Sequence, residues 1–357
     1  MRGKSGYIGM AILCGSAVLA KYMIAMPHYM VRESANAAWI PMIVKCITAS
    51  IAILAIVALY KPFVGKSFDE VAFIACGKVG NVLVRYIYAI GFIITGADIF
   101  RLLIEALHSV MGSTAPYEYF AVFVIAAVFV GAWHGVKSCM NLSTVIFPFI
   151  VLSLLMLTIV LIPHYRIENI FPIMGKGADS IISCSFSKYY GFYELVLVLF
   201  LAADMVSFSD LKKTAFLSLL ISSVCSFILI GAYCLTIPFP ASEKFFLPLY
   251  QMTRMIKAGT FIQRLEPLVV FIWASLIMCS MCVLFCFAAR MMGKHSGTQK
   301  AFVPIVVFIA FFVAMLPNSE TEAFDAYGKF LTFSGLLFPV IPVIITVIAR
   351  IRRRNAA

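Results

Sequence analysis

Ten long apolar runs constrain the fold of this chain more than any other feature of its sequence. A helix that crosses the hydrocarbon layer of a membrane needs about 20 mostly apolar residues. Of the 357 residues, 63% are hydrophobic and only 12% are charged, which is too few charges for the surface of a soluble protein. We therefore predict an all-α integral membrane protein. The expected spans are roughly Tyr7–Val31, Trp39–Pro62, Val84–His108, Tyr117–Gly131, Leu142–Pro163, Lys188–Val206, Leu211–Pro238, Leu265–Met291, Ala301–Pro317 and Phe330–Arg350.

The distribution of lysine and arginine predicts the orientation of these spans. With the amino terminus in the cytoplasm, the inner segments hold 16 basic residues and the outer segments hold 9. Cytoplasmic loops of membrane proteins carry such an excess. An even number of spans then returns the carboxyl terminus to the cytoplasm. The net charge of +12 indicates contact with anionic membrane lipid, and we expect no nucleic-acid partner.

Neither the cysteines nor the histidines indicate a catalytic or metal site. Most of the ten cysteines lie inside apolar runs, where a thiol behaves as a small hydrophobic group. Cys279, Cys282 and Cys286 share one helix face, but no histidine accompanies them, and close packing explains them sufficiently. The sequence contains no His-Glu-x-x-His motif and no phosphate-binding glycine motif. We expect no catalytic residue, no metal and no cofactor, and an enzyme is the least favoured class.

Glycines inside two of the spans indicate an internal repeat. We treat residues 1–357 as one polytopic membrane domain, in which ten spans divide into two sets of five, roughly 1–163 and 178–350. The first span of the first set contains Gly15 and Ser16, and the first span of the second set contains Gly191. Interruptions in equivalent helices of two halves are typical of inverted-repeat transporters, which bind their substrates between the broken helices.

Three charged residues inside the spans are candidates for ligand binding. A charge in the hydrocarbon layer is costly and usually faces a partner or a cavity. Lys21 lies near the middle of span one, and we expect a carboxylate partner for it, Asp98 first and Glu194 second. Its ammonium group could also occupy a cation site as a tethered charge. Glu194 follows Gly191 by about one turn, where it could face the amino group of a small ligand or cap a helix.

Other charges are expected to form a structural network. Asp98, Arg101 and Glu105 share one face of span three, because they are three and seven residues apart. They either neutralise each other locally or line an outward-facing vestibule. Arg264 and Glu266 lie together at the outer start of span eight and are expected to be structural.

Two connections between the spans are expected to contain helices. Residues 62–82 resemble a polar turn that leads into a short amphipathic helix on the inner side. Residues 239–264 form an outer loop with a helical apolar pattern that we expect to lie along the membrane surface. The pattern consists of Phe245, Leu249, Met252, Met255 and Ile256.

Several segments resemble the B subunits of nutrient-germinant receptors, the GerAB-like spore germination permeases. The most specific are residues 245–251 (FFLPLYQ), residues 259–268 (GTFIQRLEPL) and Trp273. Residues 263–266 are similar to the QRLE motif with which span eight of that family begins. Residues 169–175 (NIFPIMG) resemble its outer segment. Two similarities are weaker. Residues 65–67 (GKS) resemble a turn after span two, and residues 191–194 (GFYE) resemble the span-six motif with two residues inserted or with a shifted match.

The resemblance implies a fold, a role and partners. The family belongs to the amino acid–polyamine–organocation superfamily, which implies a LeuT-like five-plus-five inverted repeat with broken helices one and six. It also implies a receptor in the inner membrane of the spore, assembled with A-type subunits and lipoprotein C-type subunits, that senses a small nutrient such as an amino acid. Lys21, Lys45, Asp98 and Arg101 match no motif of the family.

Three functions remain open at this point. The first is a nutrient sensor built on a transporter scaffold, which triggers germination. The second is a proton-coupled amino-acid transporter in which an embedded carboxylate carries the proton. The third is a pore-forming subunit that releases ions. A transporter moves substrate alone, a pore conducts without nutrient turnover, and a sensor acts only with its partner subunits.

Overall fold

The computed structural model describes residues 6–111, 116–187, 190–256, 266–293 and 296–355. Within these ranges the chain forms thirteen α-helices and no strand, which confirms the all-α class. The helices are α1 (Tyr7–Ile24), α2 (Met26–Ser34), α3 (Trp39–Tyr60), α4 (Phe68–Met111), α5 (Tyr117–His134), α6 (Val136–Val160), α7 (Ala178–Ile182), α8 (Leu197–Phe200), α9 (Phe208–Thr236), α10 (Pro248–Arg254), α11 (Glu266–Met292), α12 (Ser296–Met315) and α13 (Glu320–Asn355).

The long helices coincide with nine of the ten expected spans. Among the described residues, eight helical stretches are long and apolar enough to cross a membrane. The shorter apolar helix Gln299–Met315 coincides with expected span nine. Expected span six is not a continuous helix but a series of short helical segments. The chain is therefore a multi-pass membrane protein whose exposed apolar side chains face lipid.

Both ends of the described chain lie at the same end of the helix bundle. The ammonium group of Lys213, near the start of α9, lies 5.4 Å from the ring centroid of Tyr7 at the start of α1. Lys61, directly after α3, lies 5.7 Å from the ring centroid of Phe208. Arg350, near the end of α13, donates to a carbonyl group at the end of α3. We call this end the terminal face, and we call the opposite end, where α9 finishes, the far face.

A short helix precedes span three at the terminal face, as the sequence predicts. Gly65 has a φ of 84° and turns the chain after α3. Ser67 then precedes α4, and its backbone N–H donates to the Glu70 carboxylate at 2.7 Å, which satisfies a free donor at the helix start. Gly77 interrupts the helical backbone with a φ of 69°, a conformation that favours glycine. The amphipathic first part of α4 is thereby set at an angle to the long span that follows.

Span one is interrupted at Ala25, and the expectation that Gly15 and Ser16 mark the break is wrong. Ala25 has φ and ψ angles of −141° and −22°, which end α1 before Pro27 opens α2. Proline suits the first turn of a helix because its missing N–H has no acceptor there. Gly15 lies inside the continuous helix α1 and allows close packing instead. A Cβ atom on Gly15 would lie 3.1 Å from the backbone oxygen of Ser218 in α9.

Span six is interrupted next to the break in span one. The chain turns at Gly191 and continues as a 3-10 helix (Tyr193–Val196), then α8, then a second 3-10 helix (Ala202–Asp204). A Cβ atom on Gly191 would lie 3.0 Å from both Met26 and Tyr22, which flank the break in span one. Broken helices one and six therefore meet, as expected. The five-plus-five inverted repeat and its boundaries stay predictions.

The outer helix predicted in residues 239–264 is α10, but it packs on the bundle rather than on a membrane surface. Leu249 and Met252 are fully buried, and α10 contacts α1, α9 and α11. Phe245, Met255 and Ile256 are partly buried against the same core. The apolar pattern that suggested a membrane-surface helix is thus covered by other helices of the protein. Residues 257–264 lie outside the described residues.

Candidate functional site

The two helix interruptions bring a lysine and a glutamate together in the interior of the protein. Lys21, on the last turn of α1, donates a hydrogen bond to Oε2 of Glu194 in the 3-10 helix of span six. Both side chains are completely buried. The ring of Tyr193 lies beneath the ammonium group, 3.6 Å from centroid to Nζ, and adds a cation–π contact. The charges thus compensate each other where neither could be solvated.

The expectation that Asp98 would be the first partner of Lys21 is wrong. The second choice, Glu194, forms the ion pair because the turn at Gly191 carries it to the end of α1. Asp98 lies in α4, close enough to Tyr193 and Tyr327 for electrostatic interaction. The order of residues along each span does not determine which helices are neighbours, and the choice between Asp98 and Glu194 depended on that.

Several buried polar atoms around this ion pair have no hydrogen-bond partner among the described residues. They are Oε1 of Glu194, Oδ2 of Asp98, and the hydroxyl groups of Tyr22 and Tyr327. Buried polar atoms in proteins are nearly always hydrogen-bonded, so a group of unpaired ones indicates a place for a ligand, an ion or water. Their composition suits a ligand with N–H or O–H donors. We call Lys21, Asp98, Tyr193, Glu194 and Tyr327 the central polar cluster.

Tyr193 connects the members of the central polar cluster. Its hydroxyl group lies 3.0 Å from Oγ1 of Thr95 in α4. Its ring contacts Phe338 of α13 at a centroid distance of 5.5 Å. A side chain that touches α1, α4 and α13 at once can transmit a change at Lys21 to the other helices, because packed interiors do not deform continuously.

A small apolar pocket adjoins the central polar cluster. Ala49, Ile53 and Ile56 of α3 form one wall, and Tyr190, Phe192 and Tyr193 of the interrupted span six contribute to the other. Tyr193 is thus shared between the pocket and the cluster. A ligand whose amino group reached Glu194 could place an apolar side chain in this pocket.

The expected network of Asp98, Arg101 and Glu105 is only partly formed. Arg101 and Glu105 make an ion pair at 2.7 Å, and the Arg101 guanidinium group also lies 4.9 Å from the ring centroid of Tyr117. Asp98 has no ion-pair partner among the described residues. Arg264 lies outside the described residues, and of Glu266 only the backbone, at the start of α11, is described.

The far face contains a vestibule that the sequence analysis did not find. It is a solvent-open pocket of about 610 Å³. Two ion pairs lie in its lining: Arg32 of α2 with Asp325 of α13 at 3.0 Å, and Lys176 with Glu243 at 3.1 Å between two segments of the far face. Its lining residues are Tyr29, Arg32, Glu33, Lys176, Glu243, Asp325, Gly328, Lys329 and Thr332.

Asp98, Arg101 and Glu105 do not line this vestibule, and their role as the wall of another vestibule stays a prediction. Its charges come from loops and helix ends that are distant in sequence. Tyr29 is buried in α2, and its hydroxyl group donates to the backbone oxygen of Phe324 at 2.5 Å. Since α2 follows the break at Ala25, the vestibule and the central polar cluster lie on consecutive segments of span one.

Comparison with known proteins agrees with this architecture. Residues 8–323 match the spore permease family, whose description is "Spore germination protein". A similar curated protein is spore germination protein XB of Bacillus anthracis. It is 23% identical over 233 residues, which cover 62% of this chain and 65% of that protein. The match thus spans slightly less than two thirds of the relative's length.

The family match covers nearly all of α1, the interrupted span six, and the residues of the central polar cluster and of the two vestibule ion pairs. Only Tyr327 of the cluster and Asp325 of the ion pairs lie beyond it. It covers nearly the whole chain, and its permease name fits a bundle with two broken helices that meet at a buried ion pair. The chain therefore belongs to the spore permease family of spore germination proteins.

Proposed function

We propose that this chain is the nutrient-sensing subunit of a spore germinant receptor and that it is built on a transporter scaffold. The observation that carries the proposal is the buried Lys21–Glu194 ion pair at the junction of two interrupted helices. Broken helices of transporters form substrate sites because their free backbone groups and nearby charges face a small ligand. Membership in a family of spore germination proteins supports germination as the process in which such a site acts.

In this proposal Lys21 is a tethered cation that competes with the nutrient. Glu194 binds the Lys21 ammonium group in the absence of nutrient, and it binds the amino group of the nutrient in its presence. The released Lys21 and the ring of Tyr193 then change their contacts with α4 and α13. A nutrient shifts such an equilibrium only if it binds one of the two states more tightly, and exchange at Glu194 supplies that difference.

The proposed ligand is a small amino acid with an apolar side chain. Glu194 suits an amino group, and the small apolar pocket beside it suits no more than a short aliphatic side chain. The vestibule at the far face gives a route from outside, with both signs of charge for a zwitterion. With the terminal face in the cytoplasm, as the lysine and arginine distribution predicts, the vestibule opens outward.

Partners and location belong to the same proposal. A sensor that does not itself conduct must pass its change of state to other subunits, and we propose A-type and lipoprotein C-type receptor subunits as these partners. The proposed location is the inner membrane of the spore, with both termini in the cytoplasm.

A proton-coupled amino-acid transporter is the second candidate, and Asp98 is the observation that favours it. This buried carboxyl group has an oxygen without a hydrogen-bond partner among the described residues. Buried carboxyl groups inside spans are the groups that carry protons in proton-coupled transporters. The transporter and the sensor differ in measurable flux. A transporter moves labelled amino acid across a membrane without its receptor partners, whereas a sensor only binds it.

The test is germination of spores that lack this gene, measured across a panel of amino acids and sugars. Spores complemented with the intact gene are the control. We expect loss of the response to one nutrient class while the other responses remain. Unchanged germination on every nutrient, together with reduced uptake of a labelled amino acid by growing cells, would contradict the sensor and support the transporter.

A further inference from the structure

Three cysteine thiols from two helices converge on one turn of α5, away from the central polar cluster. The thiol of Cys139 in α6 donates to the backbone oxygen of Gly131 at 3.6 Å. Those of Cys282 and Cys286 in α11 donate to the backbone oxygens of Val128 and Ala132, at 3.5 Å and 3.2 Å. We call Cys139, Cys282 and Cys286 the thiol cluster.

The members of the thiol cluster also contact each other. The Cys139 side chain lies within interaction distance of both Cys282 and Cys286. One turn further along α6, Ser143 is hydrogen-bonded to Cys279 instead, so α6 and α11 pack side by side in antiparallel register. Cys279 is therefore the neighbour of Ser143 in this register, although all three α11 cysteines share one helix face.

Gly131 lies against the sulfurs of both Cys139 and Cys282. A Cβ atom at position 131 would lie 2.5 Å from the sulfur of Cys282. Because Gly131 has no side chain, the Cys282 sulfur rests against the same residue whose backbone oxygen accepts from Cys139. Among the described cysteines every thiol is free, so this pair is reduced in the structure.

We propose that Cys139 and Cys282 are an oxidative modification site, at which a two-electron oxidant forms a disulfide that joins α6 to α11. With an azodicarboxamide oxidant, one thiol adds across the N=N bond and forms an S–N bond. The sulfur of the second thiol attacks the first sulfur, the S–S bond forms and the S–N bond breaks. Both thiol protons finish on the two nitrogens of the resulting hydrazine, and the two electrons lost by the sulfurs reduce the azo group.

The thiol cluster lies close to the exposed connection between α5 and α6. Cys139 lies one helical turn after Gly135, where the chain passes from α5 to α6, and Lys137 in that turn is exposed. The neighbouring residue Met140 packs against Gly9, near the start of α1, so the thiol cluster lies toward the terminal face. The sulfurs themselves are shielded, since Cys139 and Cys282 are only 2% and 5% exposed.

The proposed disulfide would restrain the helix that carries Lys21. Helix α1 packs against both α6 and α11. A covalent bond between those two helices fixes the walls on either side of α1. If the proposed function is correct, oxidised spores respond to nutrient more slowly, and a thiol reductant restores the response. The existence of the disulfide itself does not depend on that function.

The experiment counts free thiols in the full-length chain before and after oxidation in its native membrane. Membranes are treated with diamide and denatured, free thiols are labelled with a maleimide of known mass, and the peptides are analysed without reduction. We expect the wild-type chain to lose two of its ten free thiols and to yield a Cys139–Cys282 peptide. The variant Cys139→Ala should lose none. Cys279→Ala is the matched control, on the same face of α11, and should lose two.

Three results would overturn the proposal. The first is a wild-type chain that keeps all its thiols at a diamide concentration that oxidises the same chain after denaturation. The second is a disulfide of any other pairing, and the third is an equal loss of thiols in Cys139→Ala and the wild type. If Cys139→Ala does not accumulate, Cys282→Ala removes the other sulfur and makes the same prediction.

Discussion

Removing either partner of the Lys21–Glu194 pair should destabilise the protein far more than removing both. Both side chains have 0% exposure, so Lys21→Met leaves a carboxylate, and Glu194→Gln an ammonium group, without compensation in the interior. Breaking a buried ion pair by removing one partner costs about 3–5 kcal/mol. The double variant leaves only a buried amide with incomplete hydrogen bonding, which costs about 1–3 kcal/mol. The double variant should thus be more stable than either single variant.

The free energy of unfolding can be measured in mixed micelles by titration with a denaturing detergent. The matched control is Lys176→Met, which breaks the pair with Glu243 at the far face. Those side chains are 38% and 36% exposed, and exposed pairs contribute only about 0–1 kcal/mol because water screens them. The reasoning would be refuted if the costs of Lys21→Met and Glu194→Gln simply added in the double variant, or if Lys21→Met cost no more than Lys176→Met.

Two further predictions concern the far face. Gly175→Ala should destabilise the protein clearly more than Gly177→Ala. Both glycines have positive φ angles, but only at Gly175 would the new Cβ lie 2.1 Å from the backbone oxygen of Ser34. The same detergent titration measures the difference. Equal costs would show that φ alone matters there. Arg32→Ala should cost no more than about 1 kcal/mol, because Arg32 and Asp325 are 46% and 47% exposed; a cost of several kcal/mol would contradict a solvent-open vestibule.

The number and type of elements could be predicted because membrane spans leave a strong signal. Each span needs its own apolar run, and a charged loop separates it from the next, so length and hydrophobicity suffice. The irregular span six was predictable in part, since Gly191 permits the close approach to Tyr22 that the turn requires. The short helix before span three was predictable from its turn and from the Ser67–Glu70 pattern.

The break in span one was placed wrongly because glycine has two uses in membrane helices. Gly15 serves close packing against α9 rather than interruption. The usable signal was Pro27, because proline suits the first turn of a new helix. The charge at the middle of span one was found, but its partner depended on a turn in a distant span. Pairing across helices requires their packing, which apolar runs do not encode.

The most direct test of the central claim is germination of spores in which Lys21→Met and Glu194→Gln are combined in this chain, measured across the nutrient panel. The amount of the chain in spore membranes is measured in parallel, with Lys213→Met spores, changed at the terminal face, as the control. The account predicts loss of the response to one nutrient class at a normal amount of protein, and a normal response in the control. A wild-type response in the double variant would show that the nutrient does not act at the Lys21–Glu194 pair.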